Sequence, residues 1–173
     1  MLCFPRAPRF RLRTYCIFRA DYLTNMNILD GLLGEHAALL TLFEHLEQIA
    51  AHMDLDRLHE TGALLERVVM VHSMAEDRYL FDAVTASEGG LRGALLAMRS
   101  EHKQLAHELD QLRATSSEAA ARGCLRGIFE SAREHFEVEE RVLFPLAARQ
   151  ISREKLEELG LDWKRRRMRE AMS

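Results

Sequence analysis

Apolar residues recur along residues 27–149 at alternating steps of three and four, the spacing of a helical face turned to an interior. The pattern predicts a first helix over about 27–52, with a seam of Leu29, Leu33, His36, Leu40 and Phe43. Asp54-Leu55-Asp56 offers a turn and an N-cap carboxylate. A second helix over about 56–86 carries Leu65, Val69, His72, Glu76, Tyr79 and Ala83, and Ser87-Glu88-Gly89-Gly90 ends it. The third, over about 91–114, shows Leu91, Leu95, Met98, His102, Leu105, Leu109 and Leu112, followed by the turn and cap Thr115-Ser116-Ser117. The fourth, over about 117–149, shows Leu125, Ile128, Ala132, His135, Glu139, Val142 and Leu146, with Pro145 near its end, where a kink or frayed turn is tolerated. Residues 151–173 predict a short fifth, amphipathic helix interrupted by Gly160. Strand-type alternation is nowhere evident. The expected fold is all-α, an antiparallel up-down four-helix bundle with a short C-terminal fifth helix.

Six polar residues interrupt these seams: His36, His72, Glu76, His102, His135 and Glu139. Residues four apart share a helix face, so His72-x-x-x-Glu76 and His135-x-x-x-Glu139 each present an imidazole and a carboxylate together. Each motif follows a Glu-His pair, with Glu35-His36 placing its His 36 residues before His72 and Glu101-His102 placing its own 33 before His135. The chain is thus a duplicated helix pair. One histidine on an apolar face is usually a core residue. Four on four helices, joined by two carboxylates with no Lys or Arg on the same seams, call for another explanation. A buried ionised carboxylate without a partner costs several kcal/mol or takes up a proton, and a bound cation resolves the conflict. Imidazole with carboxylate suits iron, manganese or zinc. Six ligands crowd one ion, whereas two ions divide them evenly, each taking two histidines and sharing both carboxylates. Ferritin-like proteins use Glu-x-x-His motifs and more carboxylates, and neither that motif at the seams nor His-Glu-x-x-His occurs here.

The bulk properties narrow the setting. Residues 1–25 hold five arginines against one acid, Asp21, and lack helical period. They suggest either a transit-like or membrane-surface segment or, as the favoured expectation, an extension upstream of a start at Met26. The expected domains are therefore 1–25, an N-terminal extension, and 26–173, the bundle. The net charge is −3 and the body without the Arg-rich segment is more acidic still, which argues against nucleic acid as partner. Cys3, Cys16 and Cys124 have no paired spacing, and no apolar run approaches the roughly 20 residues of a membrane span. A cytoplasmic protein without a membrane partner is expected.

The constellation closely resembles the hemerythrin-like (HHE cation-binding) family over about residues 27–170. Glu35-His36, His72-x-x-x-Glu76, Glu101-His102 and His135-Phe136-x-x-Glu139-Glu140-x-x-Leu143-Phe144-Pro145 carry the resemblance. It implies a non-haem centre of two iron ions, with dioxygen, hydrogen peroxide or nitric oxide as small-molecule partners. Oxygen-carrying hemerythrins use a fifth histidine four residues on along the third helix. Here that position is Ala106, and His107 lies about 140° around the helix from His102. Their fourth-helix carboxylate is an Asp at plus five, against Glu139 at plus four. The pattern is more similar to the four-histidine, two-glutamate subgroup that includes di-iron proteins implicated in iron–sulfur repair. The cysteines supply no pair of the kind an added repair domain carries, so a sensor, an iron store or a scavenger in stress response is equally expected.

Two histidines, one oxygen from each Glu and one bridge make five ligands per iron, leaving both ions one open position. That count favours onward chemistry over reversible oxygen carriage. The alternative is a non-enzymatic oxygen or iron sensor, or a storage module, signalling to a protein partner. Glu35, Glu101, Asp77 and Glu140 neighbour the candidate ligands and either orient imidazoles or belong to solvated faces. Tyr79 and Met98 either line a small-molecule pocket or, as the favoured expectation, pack in the core; His45, His52 and His59 are expected at the surface, and the run Lys164 to Arg169 is either a patch for an acidic partner or, as favoured, a solvated helix end.

Overall fold

The computed structural model describes residues 26–86, 92–170 and 172. The Arg-rich segment 1–25 and the Gly89-Gly90 turn lie outside the described residues, as does Leu91. Among the described residues the chain forms five helices and no strand. Helix α1 spans Ile28–Ala50 and opens on a capping box: the Asn27 side chain accepts from the Leu29 and Asp30 amides, and Asp30 accepts from the Asn27 amide. Helix α2 starts at Leu55 behind Asp54, whose carboxylate accepts from the Arg57 amide. It is α-helical to Ala75, π-helical over Glu76–Phe81 and α-helical again over Asp82–Ala86. Helix α3 spans Arg92–Ala114. Helix α4, capped by Ser117, runs over Glu118–Val138, a π-helical Glu139–Leu143 and Phe144–Gln150. Helix α5 covers Arg153–Glu170.

The π turns correct the seam expected after each glutamate. The Asp82 amide reaches back to the Asp77 carbonyl, and the Phe144 amide to Glu139, five residues in each case. The wider turn rotates the next side chains, so Leu80, Phe81 and Val84 face inward after Glu76, and Leu143, Phe144 and Ala147 after Glu139. Val142, expected inside, is 50% exposed. Pro145, which has no amide hydrogen to give, sits in the first turn of the resumed α-helix, where its loss is least felt. In α1 the seam keeps Leu29, His36 and Phe43 but shifts by one residue at two positions: Leu32 and Leu39 are buried, while Leu33 is 41% exposed and Leu40 half-buried. Both choices satisfy a three-to-four spacing, and packing selects one.

Gly160 does not interrupt α5, which is continuous through it. A side chain there would stand 2.6 Å from the Met26 carbonyl oxygen, so the glycine lets α5 lie against the start of α1. One turn on, the Trp163 ring covers Gly31, where a Cβ would come within 2.9 Å of the ring. These contacts climb both helices in the same direction, so α5 lies parallel to α1.

Two apolar clusters form the core. One gathers Phe43, Leu65, Val69, Leu105, Leu109, Ile128, Phe129 and Phe136 with their neighbours. The other gathers Leu32, Leu80, Phe81, Met98, Leu143 and Phe144 with theirs. Each fully buried Leu or Phe contributes about 1.5–3 kcal/mol. Between the clusters lies one polar layer, made of His36, His72, Glu76, His102, His135 and Glu139.

Candidate metal centre

All six candidates from the seams reach this layer, and all are buried. Among the described residues they fall into two groups able to hold an ion: His36, His72, Glu76 and Glu139, and Glu76, His102, His135 and Glu139. Within each group the ligand atoms lie within 4.8 Å of one another. Both groups share the two carboxylates. His36 Nε2 lies 3.3 Å from Glu76 and 3.4 Å from Glu139, and His72 Nε2 lies 3.2 Å from Glu76. His102 Nε2 is 3.4 Å from Glu76, and His135 Nε2 is 3.5 Å from Glu139.

The outer ring nitrogens all face carboxylates. His36 Nδ1 donates to Glu140 at 2.8 Å, His72 Nδ1 to Glu35 at 2.9 Å and His135 Nδ1 to Glu101 at 2.7 Å. His102 Nδ1 faces Asp77 at 3.7 Å, an ion-pair distance too long for a hydrogen bond. A proton held on Nδ1 leaves the Nε2 lone pair directed inward, the tautomer a metal ligand needs. Three of the four acids adjacent to the candidate ligands in sequence, Glu140, Glu35 and Glu101, therefore orient imidazoles rather than face solvent alone, while Asp77 only faces one. Each does so for a histidine of another helix, because the residue beside an inward-facing position points along the neighbouring helix.

The layer is not satisfied by its own groups. His72 Nε2, Glu76 Oε2 and both Glu139 oxygens are buried without a hydrogen-bond partner. His102 Nε2 and His135 Nε2 face each other at 2.9 Å, so at most one proton can serve both. With protein groups alone, protons occupy the layer. Burial opposes charge on His36, but the adjacent Glu139 and Glu76 carboxylates outweigh it and raise the ring to about 9. Burial likewise opposes charge on His72, which Glu76 and Glu35 lift to about 10. Burial and the negative Glu76 push Glu139 up to about 8, while Glu76, against its own burial, is held well below the usual range by His72, His102 and His36. Burial and neighbouring His102 lower His135. Inward lone pairs, two shared carboxylates and orphaned oxygens together fit divalent cations.

Aromatic rings seal the layer. Phe136 stacks on His36 at 4.1 Å between centroids, Phe144 lies 5.5 Å from the same ring, and Phe81 stacks on His102 at 5.7 Å. The repeated Leu-Phe pair four and five residues after each glutamate, Leu80-Phe81 and Leu143-Phe144, was the available signal for the π turns and these rings. A cleft of about 310 Å³, lined by Glu101, Gln104, Leu105, Ser131, Glu134, His135 and Val138, brings the surface to the His135 side of the layer. Tyr79 is buried, yet it lines an outer cleft beside Trp163, and Met98 belongs to the core. His107 points away and is hydrogen-bonded to Gln111 on the surface, and His45 and His52 are exposed. His59 is half-buried and reaches Thr115 at 3.3 Å.

Arg167 is the functional residue the sequence pattern did not single out. It belongs to the basic run expected as a solvated helix end, yet it grips the Glu35 carboxylate at 2.7 and 2.9 Å. Nothing local distinguishes it from Arg165 or Arg166, since the docking of α5 on α1 decides which arginine faces inward.

Among the described residues no helix is long and apolar enough to cross a membrane. Comparison with curated proteins and with solved structures yields no match. The profile of the hemerythrin HHE cation binding domain does match, over residues 27–147, the stretch that holds all four histidines, both shared glutamates and the acids behind them. On that match and the buried histidine–glutamate layer, the chain belongs to the hemerythrin HHE cation-binding domain family.

Proposed function

We propose that the protein holds two iron ions in the polar layer and reacts with dioxygen, peroxide or nitric oxide, in oxidative or nitrosative stress or in iron handling. The observation that carries this is the pair of four-residue ligand groups sharing Glu76 and Glu139. His36 and His72 hold one position, His102 and His135 the other, and the two glutamates bridge them. Bound iron would supply redox equivalents and open coordination positions for a small oxygen or nitrogen species. The chain's own residues do the rest. Glu140, Glu35 and Glu101 keep the imidazoles of His36, His72 and His135 turned inward, and Phe136, Phe144 and Phe81 keep water from the layer. The cleft against His135 gives a small molecule its approach. His107 supplies no fifth histidine, which supports the similarity to the four-histidine, two-glutamate subgroup.

The up-down course of α1 to α4 belongs to the same proposal. Its support is the order of cross-helix pairs: His36 with Glu140 and Glu47 with Arg133 step in opposite directions along α1 and α4. A cytoplasmic setting belongs to the same proposal, and its support is the scattered, unpaired spacing of Cys3, Cys16 and Cys124. The second reading, a sensor or iron store signalling to a partner, is favoured by the Arg167–Glu35–His72 chain, which connects the layer to an outer helix.

Anaerobic ferrous loading of the full chain, with iron counted and spectra recorded as oxygen, peroxide or nitric oxide is added, tests the proposal. Two irons that oxidise promptly, with catalytic consumption of one of the three, are expected. A spectral change that reverses on removing oxygen would favour the sensor, and fewer than two irons would end the di-iron reading.

A further inference from the structure

We infer that Arg167 positions His72 through Glu35, so that the His36/His72 position takes up its ion before the His102/His135 position. The inference rests on the two-ion reading of the layer and adds an order of filling to it.

The guanidinium of Arg167 meets Glu35 as a fork, Nε to Oε1 at 2.7 Å and Nη2 to Oε2 at 2.9 Å, and the same Oε2 accepts from His72 Nδ1 at 2.9 Å. A fork of this kind fixes the plane of a carboxylate as well as its place. Arg167 Nη2 also donates to the Val71 carbonyl at 3.2 Å, one residue before His72, so both the ring and its backbone are restrained. The clamp is partly shielded from water, with the side chains of Arg167 and Glu35 21% and 23% exposed.

The second half has no fork of this kind: Arg99 Nε stands 3.5 Å from Asp77 Oδ1, which is itself 3.7 Å from His102 Nδ1. Glu101 takes the place of Glu35 and holds His135, but it is 45% exposed, and no cation grips it among the described residues. The duplication explains why: α1 with α2 and α3 with α4 repeat the motif, but α5 occurs once and lies on α1. Two further differences point the same way. Asp77 stands where the other half has Glu140 and, one methylene shorter, stops at 3.7 Å from its imidazole instead of 2.8 Å. Ser73 stands after His72 where Phe136 stands after His135, and it is Phe136 that stacks on His36. A ligand already held in place loses less freedom when the ion arrives, and groups that orient metal-bound imidazoles typically carry about 10–100-fold in affinity.

Anaerobic titration of the full chain with cobalt(II), and of ¹⁵N-histidine-labelled chain with zinc(II), tests this. Wild type should bind two ions in two resolved steps, with the first equivalent of zinc shifting the His36 and His72 ring signals before those of His102 and His135. Arg167→Gln should weaken the first step about tenfold, merge the two and speed exchange of the His72 Nδ1 proton, leaving the His135 signal unchanged. Arg167→Lys keeps the charge without the fork and should recover only part of the loss. Arg165→Gln removes an equal charge two residues away, from an exposed pair with Asp162, and should change neither step. Two indistinguishable steps in wild type, or equal weakening of both by Arg167→Gln, would overturn the inference while leaving two-ion binding intact. Uptake of fewer than two ions by wild type would remove the two-ion reading and the inference with it.

Discussion

His36 and His72 are held at their outer nitrogens at 2.8 and 2.9 Å, one beneath a stacked phenylalanine and the other behind an arginine fork. His102 and His135, built from the same motif, have one short contact at 2.7 Å, one long one at 3.7 Å, and an open cleft on the His135 side. Duplication supplies equal ligands. What surrounds them is unequal, because α5 covers one half only and because the two copies differ at Ser73 and Phe136 and at Asp77 and Glu140. On the proposed two-ion reading, the difference would separate two duties within one layer: a held half to anchor an ion and an accessible half for a small molecule to approach.

The comparison breaks most severely at what the halves share. Glu139→Gln should lower metal content from two ions to one or none by elemental analysis. The metal-free variant should melt close to wild type, because a carboxyl raised to about 8 is already mostly protonated at pH 7 and Gln mimics that form. Wild-type loading should also release protons at pH 7, one each from His36, His72 and Glu139, whose values lie near 9, 10 and 8. Affinity should therefore rise with pH through that range and fall as acidity returns the protons, which titration in weak buffer reads directly.

Phe136→Ala removes the ring over His36 and a core side chain at once. A loss of about 3–5 kcal/mol in denaturant unfolding is expected, with the first metal step weakened more than the second. Gly160→Ala forces a methyl group against the Met26 carbonyl at 2.6 Å. The expected loss is about 1–3 kcal/mol, with α5 displaced and the first metal step weakened as in Arg167→Gln. Glu101→Gln should have the smallest effect, under about tenfold on the second step, because the Glu101 carboxylate is itself 45% exposed to water.

Much of this was legible in residue order. The seams with His36, His72, His102 and His135 at helical spacing, and the two glutamates one turn after a histidine, bring all six to one level, since helix geometry is local and its period is fixed. The caps at Asp54 and Ser117 were legible for the same reason. Leu33 in place of Leu32 was not, because an amphipathic stripe has width and only the neighbouring helices choose its centre. Val142 was misplaced because an α-helical period was carried through a π turn.

The amino-acid sequence by itself determined the helical class, the duplication and the six histidines and glutamates that the buried layer gathers, all of which follow from short-range periodicity and residue chemistry. The tertiary structure alone decided which acid backs which imidazole, that Gly160 is a point of contact rather than a break, and that Arg167 reaches Glu35 from 132 residues away. Those are contacts between separate helices, and their energies depend on how the helices pack, which no local spacing encodes.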